Sequence, residues 1–467
     1  MAQDSNTKRP PIVAVLGHVD HGKTTLLDFV RKSNVQIREA GGITQSIGAS
    51  QITDKEGRKI TFIDTPGHAA FADMRGRGAE VADVIILVVA GNDGVKPQTV
   101  EAIGLANASS ASVVVAVSKS DLSSSDPENV KNQLVKEGVK LEDVGGSVPA
   151  IAVSGKTGKG MNELMEMVYL VYDLKDIKSD PNNPIEAVVI ENDKDKRGLL
   201  VSAVLRDGTL KIGDEISSGG IAIKVRGIFD YLGNPVKQVF PGDPVQILGF
   251  SNFPPVGSNI VDTAGAHHFL VGEKRNDRPQ VEEGQVGLLL KAASVGSLEA
   301  LIGALPKGAV VIYSDVGDVI ESDVFMAKSA GVDIYAFEAK VSGSVNKLAD
   351  TEDVKVKNYS IIYELIEDLN KMIRGEIEEV AGKAEVLALF PFNNRKVAGS
   401  RMVEGKITKN DTLVIERGGK RLGKAKIVSM KKEKKDVPSV SSGEEFGLIL
   451  DTNLDFALGD MLISLAK

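Results

Sequence analysis

Short, largely apolar runs at residues 12–16, 60–63, 84–89, 113–117 and 148–153 alternate with helical stretches such as 98–108. Runs of this kind read as strands buried on both faces, and their alternation with helices predicts a doubly wound parallel sheet over 9–176. Residues 176–184 are polar and carry Pro181 and Pro184, which marks a linker. From Ile185 the rhythm changes to short strands with glycine turns, the pattern of a β-barrel over 185–270. Runs at 286–291, 310–313 and 332–337 then alternate with helical 297–305 and 321–329, which predicts an αβα sandwich domain over 284–358. Across 359–382, Ile361, Ile362, Leu365, Ile366, Leu369, Met372 and Ile373 fall on one stripe opposite Glu364, Glu367, Asp368, Lys371 and Arg374, as in a long connecting helix. Residues 383–467 return to short strands and echo the earlier barrel. Gly208-Thr209-Leu210-Lys211-Ile212-Gly213-Asp214 parallels Gly405-Lys406-Ile407-Thr408-Lys409-Asn410-Asp411, and Gly242-Asp243-Pro244-Val245 parallels Gly443-Glu444-Glu445-Phe446. Two related β-barrels explain this economically, so the fold class is multidomain, α/β plus β.

Between the first run and the helical stretch that follows lies Gly17-His18-Val19-Asp20-His21-Gly22-Lys23-Thr24-Thr25. A glycine-rich loop joining a buried strand to a helix is a phosphate cradle. Gly17 and Gly22 let backbone amides approach an anion, Lys23 reaches the terminal phosphates and Thr24 offers a hydroxyl to Mg²⁺. The run 60–63 ends in Asp64-Thr65-Pro66-Gly67-His68, where the carboxylate suits a water-mediated Mg²⁺ contact and the Gly67 amide a γ-phosphate. The run 113–117 ends in Ser118-Lys119-Ser120-Asp121. A carboxylate there accepts from both N1 and N2 of guanine while a lysine stem covers the base, an acceptor pair that adenine leaves unpaired. The run 148–153 leads to Ser154-Gly155-Lys156, whose loop amides suit the guanine carbonyl. The ligands expected are therefore GTP, GDP and Mg²⁺, bound where ligands bind in open α/β sheets, beyond the carboxyl ends of the strands.

The chain has 467 residues, too many for one core, and a formal net charge of −8, which argues against a broad RNA-coating field. There is no cysteine, so disulfides and thiolate metal sites are excluded. No apolar run approaches the roughly 20 residues of a membrane span, and Met1 to Arg9 has neither a secretion core nor an import pattern, so no membrane partner and a cytoplasmic location are expected.

At the phosphate loop and the Asp64 to His68 segment the chain resembles the translational GTPases. Glu39-Ala40-Gly41-Gly42-Ile43-Thr44-Gln45, Met74-Arg75-Gly76-Arg77-Gly78-Ala79 and Asn92-Asp93-Gly94-Val95-Lys96-Pro97-Gln98-Thr99 resemble bacterial translation initiation factor two, and the likeness covers nearly the whole chain. The resemblance implies that His68 orients the attacking water and that Thr44 joins Thr24 on Mg²⁺ when its loop closes. It also implies that Val19 and Ile43 form an apolar gate in front of His68, while Gly41 and Gly42 make the Thr44 loop cheap to reorganise. Ser118 departs from the family pattern, which has asparagine there.

The resemblance further implies a ribosome-stimulated, monomeric GTPase that works with both ribosomal subunits and whose last barrel holds the acceptor end of initiator tRNA. That site maps to Ser400, Arg401, Lys431, Lys432, Glu445, Phe446 and Gly447, with lysines for phosphates and an aromatic for stacking. His267-His268 reads as structural or solvated rather than as a metal pair. Two other readings remain open: an elongation-type aminoacyl-tRNA carrier, which would place two barrels directly after the GTPase, and a ribosome-binding scaffold without turnover.

Overall fold

In the computed structural model, residues 8–31, 44, 47–54, 56–263, 281, 285–374, 380–392, 395–418, 420–432, 435–451 and 457–465 are described. The chain divides into two compact units, Met1–Glu367 and Asp368–Lys467.

The first unit opens with a six-stranded sheet in the order β2-β3-β1-β4-β5-β6. Its strands are β1 (Ile12–Gly17), β2 (Gly48–Thr53), β3 (Lys59–Asp64), β4 (Val84–Ala90), β5 (Ser112–Ser118) and β6 (Ala150–Ala152). Alternate side chains of β1 enter two separate cores. Val13 and Val15 pack with Leu26, Leu27, Leu164 and Val168 on one face, while Ala14 and Leu16 pack with Ala79, Ala102, Ile103 and Leu134 on the other. Helices α1 (Lys23–Arg31) and α5 (Met161–Asp173) therefore cover the first face, and α2 (Ala72–Val81), α3 (Pro97–Ala108) and α4 (Pro127–Lys136) the second. Five strands run parallel, but β2 is antiparallel to β3, with Gly48 opposite Asp64. The sheet is thus mixed rather than wholly parallel. The β2 strand is exposed or half-buried along its length, so it lacks the continuous apolar run that marks a two-sided strand.

A barrel sheet follows, built on the paired strands Glu186–Asp195 and Gly198–Asp207. It docks on the first sheet through side chains that meet backbone and carboxylate groups: Thr61 Oγ1 donates to the Gly242 carbonyl, Gln51 Nε2 donates to Asp243 at 2.9 Å, and Arg206 donates to the Glu80 and Val81 carbonyls at 3.1 Å. Next comes a parallel four-stranded sheet in the order Ala309–Val316, Val286–Ala292, Asp333–Phe337, Val356–Tyr359. Helices α6 (Val295–Ala304), α7 (Glu321–Ala330) and α8 (Gly343–Thr351) connect it.

Helix α9 spans Ile362–Ile373, with Ile362, Leu365 and Leu369 buried. It is shorter than the helix expected over 359–382, because Tyr359 still belongs to the parallel sheet and Val380 already pairs with Leu465 as a strand.

In the second unit, strand Val380–Phe392 pairs with both Met461–Leu465 and Arg395–Thr408, which closes a barrel through Thr412–Arg417, Lys420–Lys432 and Glu445–Asp451. The two barrels share turn chemistry as well as sequence. Asp214 accepts from the Lys211 amide and Asp411 from the Thr408 amide, both at 2.7 Å. Likewise the Gly242 amide donates to Leu205 at 2.7 Å and the Gly443 amide to Met402 at 3.0 Å. Among the described residues no helix is long and apolar enough to cross a membrane.

Candidate functional site

The phosphate loop leaves β1 at Gly17, whose φ of +150° would drive any side chain into the Val88 carbonyl. Gly22 holds φ of +87° and Asp20 holds +60°, a left-handed conformation that costs energy in a non-glycine residue and gathers at functional loops. Val19 presents its amide to Gln98 Oε1 at 3.1 Å. His21 is buried beside His18, and burial first, then that neighbour, lowers its pKa to about 4, so the ring is neutral at pH 7. Lys23 is buried with Nζ 2.9 Å from the Gly17 carbonyl and 2.7 Å from the His18 carbonyl. Burial lowers its pKa to about 8, against the attraction of Asp64, so a nearby phosphate would hold its proton more firmly. Thr25 continues helix α1 from Thr24, and the dipole of α1 adds positive field at its first turn.

Thr24 Oγ1 and Thr44 Oγ1 stand 2.9 Å apart. Two oxygens at that separation suit neighbouring corners of a Mg²⁺ octahedron, whose bonds are about 2.0–2.1 Å. Asp64 is buried at the end of β3, its Oδ1 without a hydrogen-bond partner among the described residues and its pKa raised by burial against the pull of Arg31 and Lys23. An orphaned buried carboxylate oxygen and a pair of hydroxyls are the kinds of donor that fit a hydrated hard cation. Gly67 lies against the loop: a Cβ there would meet Lys23 Nζ and come within 3.1 Å of the Val19 amide. Gly41, Gly42 and Ile43 lie outside the described residues, and so do His267 and His268.

His68 follows Gly67 and caps the short turn Ala69–Phe71, its Nδ1 accepting from the Ala70 amide at 3.2 Å. Its pKa is lowered, by burial first and then by the Arg75 and His18 charges. In the sequence Arg75 stands out only as part of a motif; in the structure its fully buried guanidinium donates to the Pro66 and His68 carbonyls and pairs with Glu101 at 2.6 Å. Gly78, one turn on, lets α2 close on β3, since a Cβ there would reach 2.7 Å from Thr65 Cγ2.

At the base-binding end, Ser118 Oγ donates to the His21 carbonyl of the phosphate loop. Lys119 takes φ of +56°. Asp121 stands below its ordinary pKa, chiefly because the Ser154 hydroxyl donates to it, and Lys156 adds attraction. The Ser120 amide donates to Val153 at 3.1 Å, and Gly155 packs so tightly on α1 that a Cβ would lie 2.8 Å from the Thr25 carbonyl. The structure therefore gathers Gly17, Val19, Asp20, His21, Gly22, Lys23, Thr24, Thr25, Thr44, Asp64, Gly67, Ser118, Lys119, Asp121, Ser154, Gly155 and Lys156 at one end of the sheet.

Residues 8–173 match the family described as Elongation factor Tu GTP binding domain, 184–263 match Elongation factor G domain 2, and 271–370 match Translation-initiation factor 2. Translation initiation factor IF-2 of Dehalococcoides mccartyi is 39% identical over 97% of this chain and 82% of its own length. The chain belongs to the translation initiation factor 2 family. Its Thermus thermophilus relative of the same name is 37% identical over 97% of this chain and 86% of that protein. A crystal structure of GDP-bound aIF5B from Aeropyrum pernix is 27% identical over 98% of this chain and 92% of that chain, with a TM-score of 0.44. This initiation factor is accordingly a translational GTPase that binds guanine nucleotides.

In the factor's second unit, barrel pairing brings the C-terminal candidates together. Ser400 sits opposite Phe446, Arg401 opposite Glu445, and Lys431 opposite Gly447. Strand alternation splits them between two faces. Arg401 and Glu445 form an exposed ion pair at 2.6 Å, Lys431 is exposed, and Lys432 pairs with Glu444 at 2.6 Å. Phe446 instead packs in the barrel core with Val386, Met402 and Leu448, so it is not the outward stacking platform expected. Ser400 is buried too, its Oγ without a partner among the described residues.

Proposed function

We propose that in its GTP form this factor places initiator tRNA on the small ribosomal subunit, promotes joining of the large subunit, then hydrolyses GTP and leaves. The observation that carries this reading is the pairing of Thr24 with Thr44 together with the closeness of Gly67 to Lys23, itself attracted by Asp64, because only a nucleotide with a terminal phosphate engages both Thr44 and Gly67. Lys23 takes up charge on the transferring group, and the Gly67 amide donates to it. Thr24 and Thr44 would hold a Mg²⁺ ion directly and Asp64 would hold it through water, and the ion would add charge neutralisation at the terminal phosphates. His68 orients the attacking water once its imidazole leaves the Ala69–Phe71 turn. Asp121 selects guanine, Lys119 covers the base, and the Ser154 to Lys156 loop meets its carbonyl.

On the C-terminal barrel the outward residues Arg401, Lys431 and Glu445, with Gly447 and the half-buried Lys432 beside them, form the tRNA-facing surface, while Ser400 and Phe446 support it from inside. The working form is a cytoplasmic monomer. Filter binding of initiator and elongator tRNA, each with and without the formyl group, tests the assignment. Preference for formylated initiator tRNA on the small subunit with GTP supports it; equal retention of elongator tRNA overturns it.

A further inference from the structure

The His68 imidazole touches a residue almost three hundred positions later in the chain. Tyr363, in the first turn of α9, meets it edge to face with ring centroids 4.2 Å apart and an interplanar angle of 85°. Phe71 flanks the same imidazole at 6.4 Å. Three anchors hold the partners. Arg75 fixes the backbone of the His68 loop through the Pro66 and His68 carbonyls. The Ala70 amide holds Nδ1. Ile362 and Leu365, both buried, seat the helix that carries Tyr363, which is itself 42% exposed and so serves no core.

With the loop backbone tied down, the imidazole can change position only by side-chain rotation. That rotation must give up both the Ala70 bond and the packing on Tyr363. We propose that Tyr363 is a positioning residue that holds the His68 imidazole in its capping position, so that GTP hydrolysis waits until α9 moves. The inference rests on the reading of His68 as the water-orienting group. It deepens that reading by naming what restrains the group, and it ties hydrolysis to the helix whose chain continues into the C-terminal unit. A ligand or substitution shifts a two-state equilibrium only by its differential interaction with the two states, and removing one edge-to-face ring pair corresponds to about a two- to tenfold change.

The test uses the full chain. Single-turnover GTP hydrolysis without ribosomes is measured for Tyr363→Ala and Tyr363→Phe, each alone and combined with His68→Ala, while the His68 imidazole resonance is followed by NMR. Tyr363→Ala raises the ribosome-free rate about two- to tenfold and shifts the imidazole resonance. Tyr363→Phe, which keeps the ring, restores both to native values, and in the His68→Ala background the gain disappears. An unchanged or lower rate in Tyr363→Ala, or an equal gain without His68, overturns the proposal. Failure of the underlying reading shows separately, as native ribosome-stimulated turnover in His68→Ala alone.

Discussion

Replacing Ser118 by alanine deletes the donor that ties the end of β5 to the phosphate loop. In the native chain Ser118 Oγ donates to the His21 carbonyl, in a place where Ser118 is 4% and His21 1% exposed. Water cannot take over at that depth. An unpaired buried carbonyl costs about 1–3 kcal/mol, and that penalty falls on the loop conformation that binds phosphate. If the loop relaxes in the free protein and must be rebuilt for nucleotide, GDP binding weakens by about 5- to 150-fold. The residue also differs from the family's asparagine in reach. Its one proton is used on the phosphate loop, so Ser118 acts as a brace rather than as a base contact. Fluorescent GDP titration checks the magnitude, with a thermal melt confirming that the variant is folded. A Ser118→Ala protein that binds GDP within about twofold of native would refute the bracing argument.

Gly67→Ala should weaken GTP about tenfold or more while sparing GDP, since the new methyl crowds Lys23 and the Val19 amide where the terminal phosphate sits; parallel titrations of the two nucleotides decide it. Asp121→Asn should move preference from GTP to xanthosine triphosphate, because an amide donates where the carboxylate accepted; competition binding reads the switch. Asp193 has its pKa pushed up to about 7 from the ordinary 3.8 by burial first, then by Glu191 and Asp195. The folded chain thus keeps a proton that the unfolded chain has lost, and the stability this lends is full below the unfolded value and fades as pH rises through about 7. Melting temperature should accordingly fall from about pH 5 to pH 8 more steeply in the native chain than in Asp193→Asn.

The phosphate loop could be read from sequence because its requirements are local: Gly17 and Gly22 occupy backbone conformations that other residues resist, and the strand before them is apolar throughout. The two barrels announced themselves for a similar reason. Asp214 and Asp411 close the same turn with the same bond, so the repeat survived in the residues. Elements whose burial is partial left no such trace. Strand β2 has a half-exposed pattern, and α8 with the strand Val356–Tyr359 sits between stronger signals. Contacts between distant segments were invisible: nothing near Arg75 shows that it anchors two carbonyls, and nothing near Tyr363 points to His68. Phe446 enters the tRNA site only through the resemblance, and the sequence does not show which way its ring faces; barrel register opposite Ser400 and packing with Val386, Met402 and Leu448 decide that.

Single-turnover hydrolysis of GTP on ribosomes by native protein and by His68→Ala, both with nucleotide saturating, bears most directly on the account. The native chain should turn over rapidly on ribosomes and slowly without them, whereas His68→Ala should bind GTP normally and stay at the ribosome-free rate. Equal ribosome-stimulated rates in the two proteins would contradict it.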